Sequence, residues 1–401
     1  QANLLKKTYG TKLDEMVYGK SELATRCKKN TKFGGEDYSF SIRITPTAGT
    51  SNEFVEALAS QAEAEIVKFT VPFRRLYTIM GVENELIARA KAAGTTGAFD
   101  DALKQVTKSG LESFSEKLSR EFWSMGGGAM GQLATTTTLS STTLQLRVTS
   151  DVLGLNPKQT VEFSTDDGSV TPAAGVLGAP DRLTITAINR TTGALTMSAA
   201  LNTVAGITTS SYVFLAGTYG LGWAGQRGWV PTSDPSPGVS WMGHDRTTKD
   251  ILRTSGMRVS GSGRQMIETL YDAGAEAKIN GVKLPHLFVN PRDIRVLRKE
   301  VQTQVRYDGN TAKIGGKLII DLDSGPCELI SEPWVPQGYS WAGDAGQVEL
   351  RTAGDCPEMV ADENGKLFRF REGADAREGR LAAYGNIVNE HAGEWVAITW
   401  A

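Results

Sequence analysis

Polar and apolar residues alternate in two segments near the start of the chain, residues 38–45 and residues 67–79. A period of two residues is typical of a β-strand with one apolar and one polar face. Pro72 lies within the second segment and cannot donate a backbone hydrogen bond, so we expect this strand at a sheet edge or in a two-stranded ribbon. Because the two strands have little else to pack on, the pattern predicts a hairpin that projects from the protein.

Helical periodicity is strongest between Asp100 and Met125, where apolar residues recur at the helical spacing. A helix of this length would extend roughly 39 Å, and the glycines at 126–128 would end it. Shorter helices are predicted for residues 52–62 (capped by Ser51 or Asn52), 82–93, 247–254, 261–280 and 291–306.

Residues 134–218 differ from the rest of the chain in composition. Only nine charged residues lie between Gln132 and Thr218, and Ser, Thr and Gly are abundant there. Glycine clusters precede and follow this stretch, and we interpret them as a pair of flexible joints. The pattern predicts a small all-β barrel or sandwich inserted into a host domain. Its strands are predicted at residues 143–149, 160–164, 183–189, 194–199 and 211–216, with hairpin turns at 166–168 and 191–193.

Strands also dominate the last part of the chain, residues 313–401. Before it, a short buried strand at 284–289 is closed by Asn290 and Pro291, which can start the following helix. Asn364 and Gly365 predict a hairpin between strands at 358–362 and 366–370. A final ribbon is predicted between residues 382–389 and 394–400.

Composition excludes several classes of protein. The chain has 401 residues, of which 40% are hydrophobic and 22% charged, as in ordinary globular proteins. No apolar run is long enough for a membrane helix, so no membrane partner is predicted. The net charge of −2 argues against a dedicated nucleic-acid binder. Cys27, Cys327 and Cys356 form no CxxC pair, which disfavours a disulfide framework or a zinc site.

No catalytic, cofactor-binding or metal site is predicted. The three histidines, His244, His286 and His391, are far apart in sequence, and none has the spacing of a metal ligand pair. The residues 321–325 fit a turn better than a calcium loop, because the downstream ligands are missing. Several tryptophans in loop-like sequence fit three roles equally: carbohydrate platforms, subunit contacts or core anchors. They are Trp223, Trp229, Trp241, Trp334 and Trp341.

Charge is distributed unevenly near the N-terminal end. Residues 1–32 are rich in Lys and Arg, whereas residues 46–65 contain four glutamates and no basic residue. We hypothesise that the basic arm of one subunit packs against the acidic segment of a neighbour. The candidate inter-subunit contact residues are Lys28, Lys29, Glu53, Glu56, Glu63, Glu65, Arg74 and Arg75.

The order of these elements resembles the major capsid protein of tailed bacteriophages, the Hong Kong 97-type fold. Residues 67–81 resemble the returning strand of the family's E-loop hairpin, and residues 97–126 are similar to its spine helix. Residues 287–297 resemble the strand-to-helix passage of its axial domain, and residues 375–389 resemble its closing peripheral-domain ribbon. The resemblance covers nearly the whole chain except residues 134–218.

The resemblance implies an α+β fold with six parts. They are an N-terminal arm (1–35), the projecting E-loop hairpin (36–80), a peripheral domain with the spine helix (81–133), the inserted all-β domain (134–218), a mixed α/β axial domain (219–345) and a return to the peripheral domain with a terminal ribbon (346–401).

The resemblance also implies the function. Such a protein assembles into pentamers and hexamers of an icosahedral shell around double-stranded phage DNA, without a cofactor and without enzymatic activity. The expected partners are further copies of the chain, a portal protein, scaffold or decoration proteins, and packaged DNA bound non-specifically. The expected location is the virion capsid, after assembly in the host cytoplasm. Two alternatives stay open: a tail or baseplate protein, and a secreted hydrolase or carbohydrate-binding enzyme.

Overall fold

The computed structural model describes residues 21–85, 96–169, 174–177, 182–304, 319–361, 365, 367–371, 373 and 375–400. The predicted helix at 82–93 lies mostly outside this range, as do residues 1–20 of the basic arm. The helices with described bounds are α1 (Glu22–Arg26), α2 (Phe54–Ala59), α3 (Thr96–Glu121), α4 (Gln226–Trp229), α5 (Ile251–Ser255), α6 (Met266–Ile279) and α7 (Pro291–Gln304).

The strands are short apart from a few in the first and last parts of the chain. In chain order they are β1 (Lys28–Asn30), β2 (Asp37–Thr45), β3 (Glu65–Pro72), β4 (Arg74–Glu83), β5 (Ala129–Gln132), β6 (Thr143–Gln145), β7 (Thr160–Ser164), β8 (Leu183–Asn189), β9 (Ala194–Met197), β10 (Tyr212–Leu215), β11 (Ser240–Trp241), β12 (His244–Asp245), β13 (Met257–Ser260), β14 (His286–Val289), β15 (Ile319–Leu322), β16 (Gly325–Ser331), β17 (Tyr339–Gly343), β18 (Val348–Thr352), β19 (Glu358–Met359), β20 (Phe368–Phe370), β21 (Ala376–Asn389) and β22 (Val396–Thr399).

Strands β2 and β3 form a two-stranded hairpin and pair only with each other, as Pro72 predicted. The prediction that this hairpin has little to pack on is wrong, because Phe40, Ile44, Val67, Phe69 and Val71 are at most 8% exposed and belong to the main apolar core. The single strand predicted for residues 67–79 is wrong, because the chain turns at Phe73 and β4 joins a different sheet. The backbone N–H of Phe73 donates to the Glu36 carbonyl at 3.1 Å, which ends the ladder. The helix between the strands is shorter than predicted, and neither Ser51 nor Asn52 caps it, since Glu53 occupies the N-cap position.

The long helix α3 ends at Glu121, before its predicted end at Met125. Its apolar stripe packs inward, since Leu111, Phe114 and Leu118 are at most 2% exposed. The helix stops early because another segment takes the place of its next turn. The N–H of Gln226 donates to the Phe122 carbonyl at 2.8 Å, so α4 seals the C-terminal end of α3.

The fourteen-residue strand β21 is the centre of a six-stranded sheet, with other strands paired along both of its edges. Strand β4 pairs along one edge of β21, and β18, β19 and β20 follow one another along the other edge. The predicted Asn364–Gly365 hairpin is therefore wrong: β19 and β20 both pair with β21 instead of with each other. This sheet, which we call the long sheet, also includes β1, parallel to β18.

A second mixed sheet has the order β13-β22-β17-β14-β16-β15. The last strand, β22, pairs with β13 and β17 in this sheet, so the predicted terminal ribbon with residues 382–389 is wrong. Helix α7 begins at Pro291 as expected, and the Asn290 side chain accepts a hydrogen bond from the N–H of Arg292 at 3.0 Å. Buried residues of α6 and α7 form one apolar core with this sheet.

The inserted unit is a barrel. Its strands have the order β5-β10-β7-β8-β9-β6, and the edges meet where the Ala134 N–H donates to the Gln145 carbonyl at 2.8 Å. The unit begins at β5, a few residues before the predicted boundary of 134. The predicted turn at residues 166–168 does not form a tight hairpin, because β7 and β8 are joined by the longer segment 165–182. The turn at residues 191–193 does connect the paired strands β8 and β9.

The glycine clusters at the barrel's entry and exit are tightly packed, so their interpretation as flexible joints is wrong. A Cβ atom on Gly127 would lie 1.8 Å from the Asp167 carbonyl oxygen, and one on Gly222 would lie 2.2 Å from the Gly128 nitrogen. These glycines allow backbone segments to touch where any side chain would clash. The barrel is therefore packed tightly against the rest of the chain.

A buried arginine also fastens the barrel to α3. The Arg120 guanidinium donates to the carbonyls of Asp151 and Leu153, at 3.0 and 2.6 Å, and to the carbonyl of Met130. Burial lowers the pKa of Arg120, while the nearby Asp151 acts in the opposite direction. Three barrel carbonyls therefore satisfy a cation that belongs to the helix.

Candidate assembly surfaces

The base of the β2–β3 hairpin is held by aromatic packing. Phe40 and Phe69 are buried and stack on each other, and their rings lie 5.8 and 6.1 Å from that of Trp229. The N–H of Thr70 also donates to the Met242 carbonyl at 2.9 Å. These contacts hold the strands of the hairpin against the body of the protein.

The far end of the hairpin presents apolar side chains to solvent. Phe54, Val55 and Leu58 on α2 are 81%, 73% and 61% exposed, and Ile66 on β3 is 62% exposed. We call these four residues the hairpin tip. The sequence places the three α2 residues on one stripe of the helix, and no element of the described chain covers them. Large apolar side chains exposed together on one short segment are typical of a protein–protein contact.

Acidic residues surround the hairpin tip. Glu53, Glu56 and Glu63 are exposed, and no cation lies within ion-pair distance of them in the part of the chain that the structure describes. We call these three residues the acidic rim. Glu65, the fourth predicted glutamate, already forms an ion pair with Lys249 of the same chain. Three of the four predicted glutamates are therefore available to a partner.

The two predicted arginines lie on β4. Arg74 is half-buried, and burial lowers its pKa against the opposing effect of Asp37. Arg75 is exposed and points to the same side of the long sheet as Tyr77 and Ile79, which are 49% and 63% exposed. Arg380 is the cross-strand partner of Ile79. We call Arg75, Tyr77, Ile79 and Arg380 the outer sheet face.

Lys28 and Lys29 are exposed on β1, the edge strand of the long sheet. The segment before them is anchored by Glu332, which accepts hydrogen bonds from the Ser21 hydroxyl at 2.9 Å and from the Glu22 N–H at 2.8 Å. Burial raises the pKa of Glu332 to about 7. The described part of the predicted arm is therefore packed into the body of the protein, since Leu23, Ala24 and Cys27 belong to its main core and β1 pairs with β18. The pairing of this arm with the acidic segment of another copy stays a prediction.

Over the described residues, no three His, Cys, Asp or Glu side chains lie where they could hold a metal ion. No helix there is both long and apolar enough to span a membrane. The three cysteines are buried free thiols.

Of the three roles that the sequence allowed for the loop tryptophans, the structure supports that of core anchors. Trp223, Trp229, Trp241 and Trp341 are at most 2% exposed, and Trp334 packs against the same core. Rings that are buried in this way cannot stack on a sugar.

Comparison with known proteins gives a structural likeness only. No protein-family model and no curated protein matches the chain. A chain of the cyanophage A-1(L) capsid asymmetric unit matches with a TM-score of 0.53 at 11% identity, over 96% of this chain and 92% of that one. The procapsid of satellite phage P4 (11% identity, 97% and 90% covered) and the capsid of a native GTA particle (9% identity, 94% and 89% covered) match with TM-scores of 0.41 and 0.43.

The match to the cyanophage chain extends over almost the full length of both proteins. The α+β character predicted from the sequence is confirmed. The chain has the fold of a bacteriophage capsid protein.

Proposed function

We propose that this chain is the major capsid protein of a tailed bacteriophage and assembles into the icosahedral shell that encloses double-stranded DNA. The observation that carries the proposal is the fold shared with a cyanophage capsid chain over 96% of the sequence. The exposed hairpin tip supports it independently, because a protein that acts alone gains nothing from a projecting apolar surface.

In the assembled shell, the hairpin tip of one copy packs on the outer sheet face of the next. Phe54 and Leu58 provide apolar area for Tyr77 and Ile79. The acidic rim comes close to Arg75, which aligns the two copies through opposite charge. The neighbour covers the apolar side chains of the hairpin tip, which are exposed in the single chain.

Packaged DNA meets this protein without a dedicated binding site. The net charge of −2 is suited to a wall that does not hold DNA tightly along its length. We also propose pentamers and hexamers as the building units, with a portal protein and scaffold or decoration proteins as further partners. Assembly takes place in the host cytoplasm, and the shell requires no cofactor or enzymatic activity.

The domain boundaries follow from the same family resemblance. We assign residues 1–35 to the arm, 36–80 to the E-loop, 81–133 and 346–401 to the peripheral domain, and 219–345 to the axial domain. The position of β5 favours extending the inserted domain of 134–218 to residue 129. The pairing of β22 favours placing the final strand with the axial domain.

Expression of the chain alone, followed by sedimentation and negative-stain electron microscopy, tests the proposal. A shell protein yields closed or polymorphic shells. Tubes or rings would favour a tail protein, and a stable dispersed monomer would count against any assembly role.

A further inference from the structure

A cleft separates the barrel from the second mixed sheet. It has a larger chamber of about 460 Å³ and a smaller one of about 200 Å³. Tyr212 of the barrel, Arg227 of α4 and Trp341 of β17 line both chambers. Because the glycine packing and Arg120 fix the barrel in place, the cleft is a permanent feature of the subunit.

Two arginines in this cleft have unused hydrogen-bond donors. The Arg227 side chain is 18% exposed, and its one polar contact within the described residues is an ion pair to Asp151 at 3.7 Å, longer than a hydrogen bond. Arg246 is 7% exposed, and among the described residues only its Nη1 donates, to the Gly228 carbonyl at 2.8 Å and that of Trp229 at 3.3 Å. Both arginines line the smaller chamber.

Trp241 supports the position of Arg246. Its ring is 2% exposed, and the Arg246 guanidinium lies over it, 4.5 Å from its centre. The indole Nε1 is sealed from the chamber and is not part of the site. A negatively charged group in the smaller chamber would accept hydrogen bonds from the free donors of both arginines.

We propose that this cleft binds a carboxylate carried by an extended peptide segment of a partner protein. The carboxylate lies in the smaller chamber between Arg227 and Arg246, and the peptide continues through the larger one. Arginine and carboxylate have matching planar geometry, and capture of a chain terminus by fixed donors is a recurrent mode of peptide recognition.

The acidic groups of the cleft are compatible with this ligand. Asp167 also lines the smaller chamber, but its Oδ1 already accepts from the N–H and the hydroxyl of Ser169 at 3.0 and 2.7 Å. Asp151 lines the larger chamber, where burial raises its pKa, against the opposing effects of Arg227 and Arg120. Loss of charge on Asp151 would release Arg227 fully to the ligand.

The composition of the larger chamber favours a peptide over a nucleic acid. Its charged lining residues are Arg147 and Arg227 with Asp151, and its other walls include Tyr339, Trp341 and several hydroxyl groups. A phosphate backbone requires a row of unpaired cations, whereas aromatic walls with a few fixed polar groups are typical of sites for small organic groups and peptides.

Calorimetric titration of the purified subunit with four probes tests the proposal. The first is an acetylated peptide of three alanines and a C-terminal phenylalanine with a free carboxylate, and the second is its C-terminal amide. The third is the same amide with an internal aspartate, and the fourth is an oligothymidylate. We expect the amide to bind at least tenfold more weakly than the free acid. Recovery of affinity by the third peptide would identify a side chain as an equally suitable source of the carboxylate.

Substitutions locate the binding in the cleft. Arg227→Gln should weaken binding of the free acid at least tenfold, whereas Arg253→Gln, which removes an exposed arginine also paired with an aspartate, should leave it unchanged. Asp151→Asn should tighten binding, a result that simple loss of folding would not produce. Equal affinity for acid and amide, no saturable binding at millimolar peptide, or tighter binding of the oligonucleotide would overturn the proposal. The cleft lies within one chain, so these outcomes do not depend on shell formation.

Discussion

Removal of the apolar side chains at the hairpin tip should abolish assembly without unfolding the subunit. The double variant Phe54→Ser, Leu58→Ser is the test. Complete burial of one such side chain contributes roughly 1.5–3 kcal/mol. Because Phe54 and Leu58 are 81% and 61% exposed in the single chain, covering both contributes roughly 2–4 kcal/mol to each contact between copies.

A loss of this size weakens each contact by about 100-fold. We expect light scattering and sedimentation to show shells from the wild-type protein and only small species from the variant at the same concentration. The melting temperature of the isolated subunit should not change, since neither side chain belongs to a core cluster. The matched control Phe54→Leu, Leu58→Met keeps the apolar area and should assemble. Normal shells from the serine variant would refute the role of the tip.

Three further predictions concern charge, packing and pH. Replacement of the acidic rim by lysines should block assembly or make it strongly salt-dependent, and shells that form normally at low salt would contradict this. Gly127→Ala should lower the free energy of unfolding by about 3 kcal/mol or more, because its Cβ would meet the Asp167 backbone; Gly34→Ala, with nothing within 4 Å, is the control and should change little. The raised pKa of Glu332, about 7 against the ordinary 4.5, means that the folded state binds the proton more tightly. Stability should therefore fall by roughly 3 kcal/mol as pH rises from 4.5 to above 7 and then level off; Glu332→Gln should flatten this slope in denaturant titrations, and an unchanged slope would show that another group titrates.

Local patterns predicted the hairpin, the long helix and most barrel strands, because period and turn chemistry are properties of adjacent residues. Pairing between strands that are far apart in sequence was harder to predict. Residues 358–362 and 366–370 flank a strong turn signal, yet β19 and β20 both pair with β21, whose length offers more hydrogen-bond partners than a short hairpin does. Likewise β22 follows β21 closely in sequence but completes another sheet.

The same limit applies to the candidate surfaces. The sequence identified the acidic segment and Arg75, and it placed Phe54, Val55 and Leu58 on one stripe of a helix. An amphipathic pattern shows which residues share a face, not whether another element covers that face. The free donors of Arg227 and Arg246 left no sequence signal, because they depend on how the barrel packs against the rest of the chain.

Cryo-electron microscopy of particles formed by the expressed chain tests the central claim most directly. The account predicts closed icosahedral shells in which the hairpin tip of each subunit contacts the outer sheet face of a neighbour. Open tubes or rings, or shells in which the hairpin tip is exposed to solvent, would contradict it.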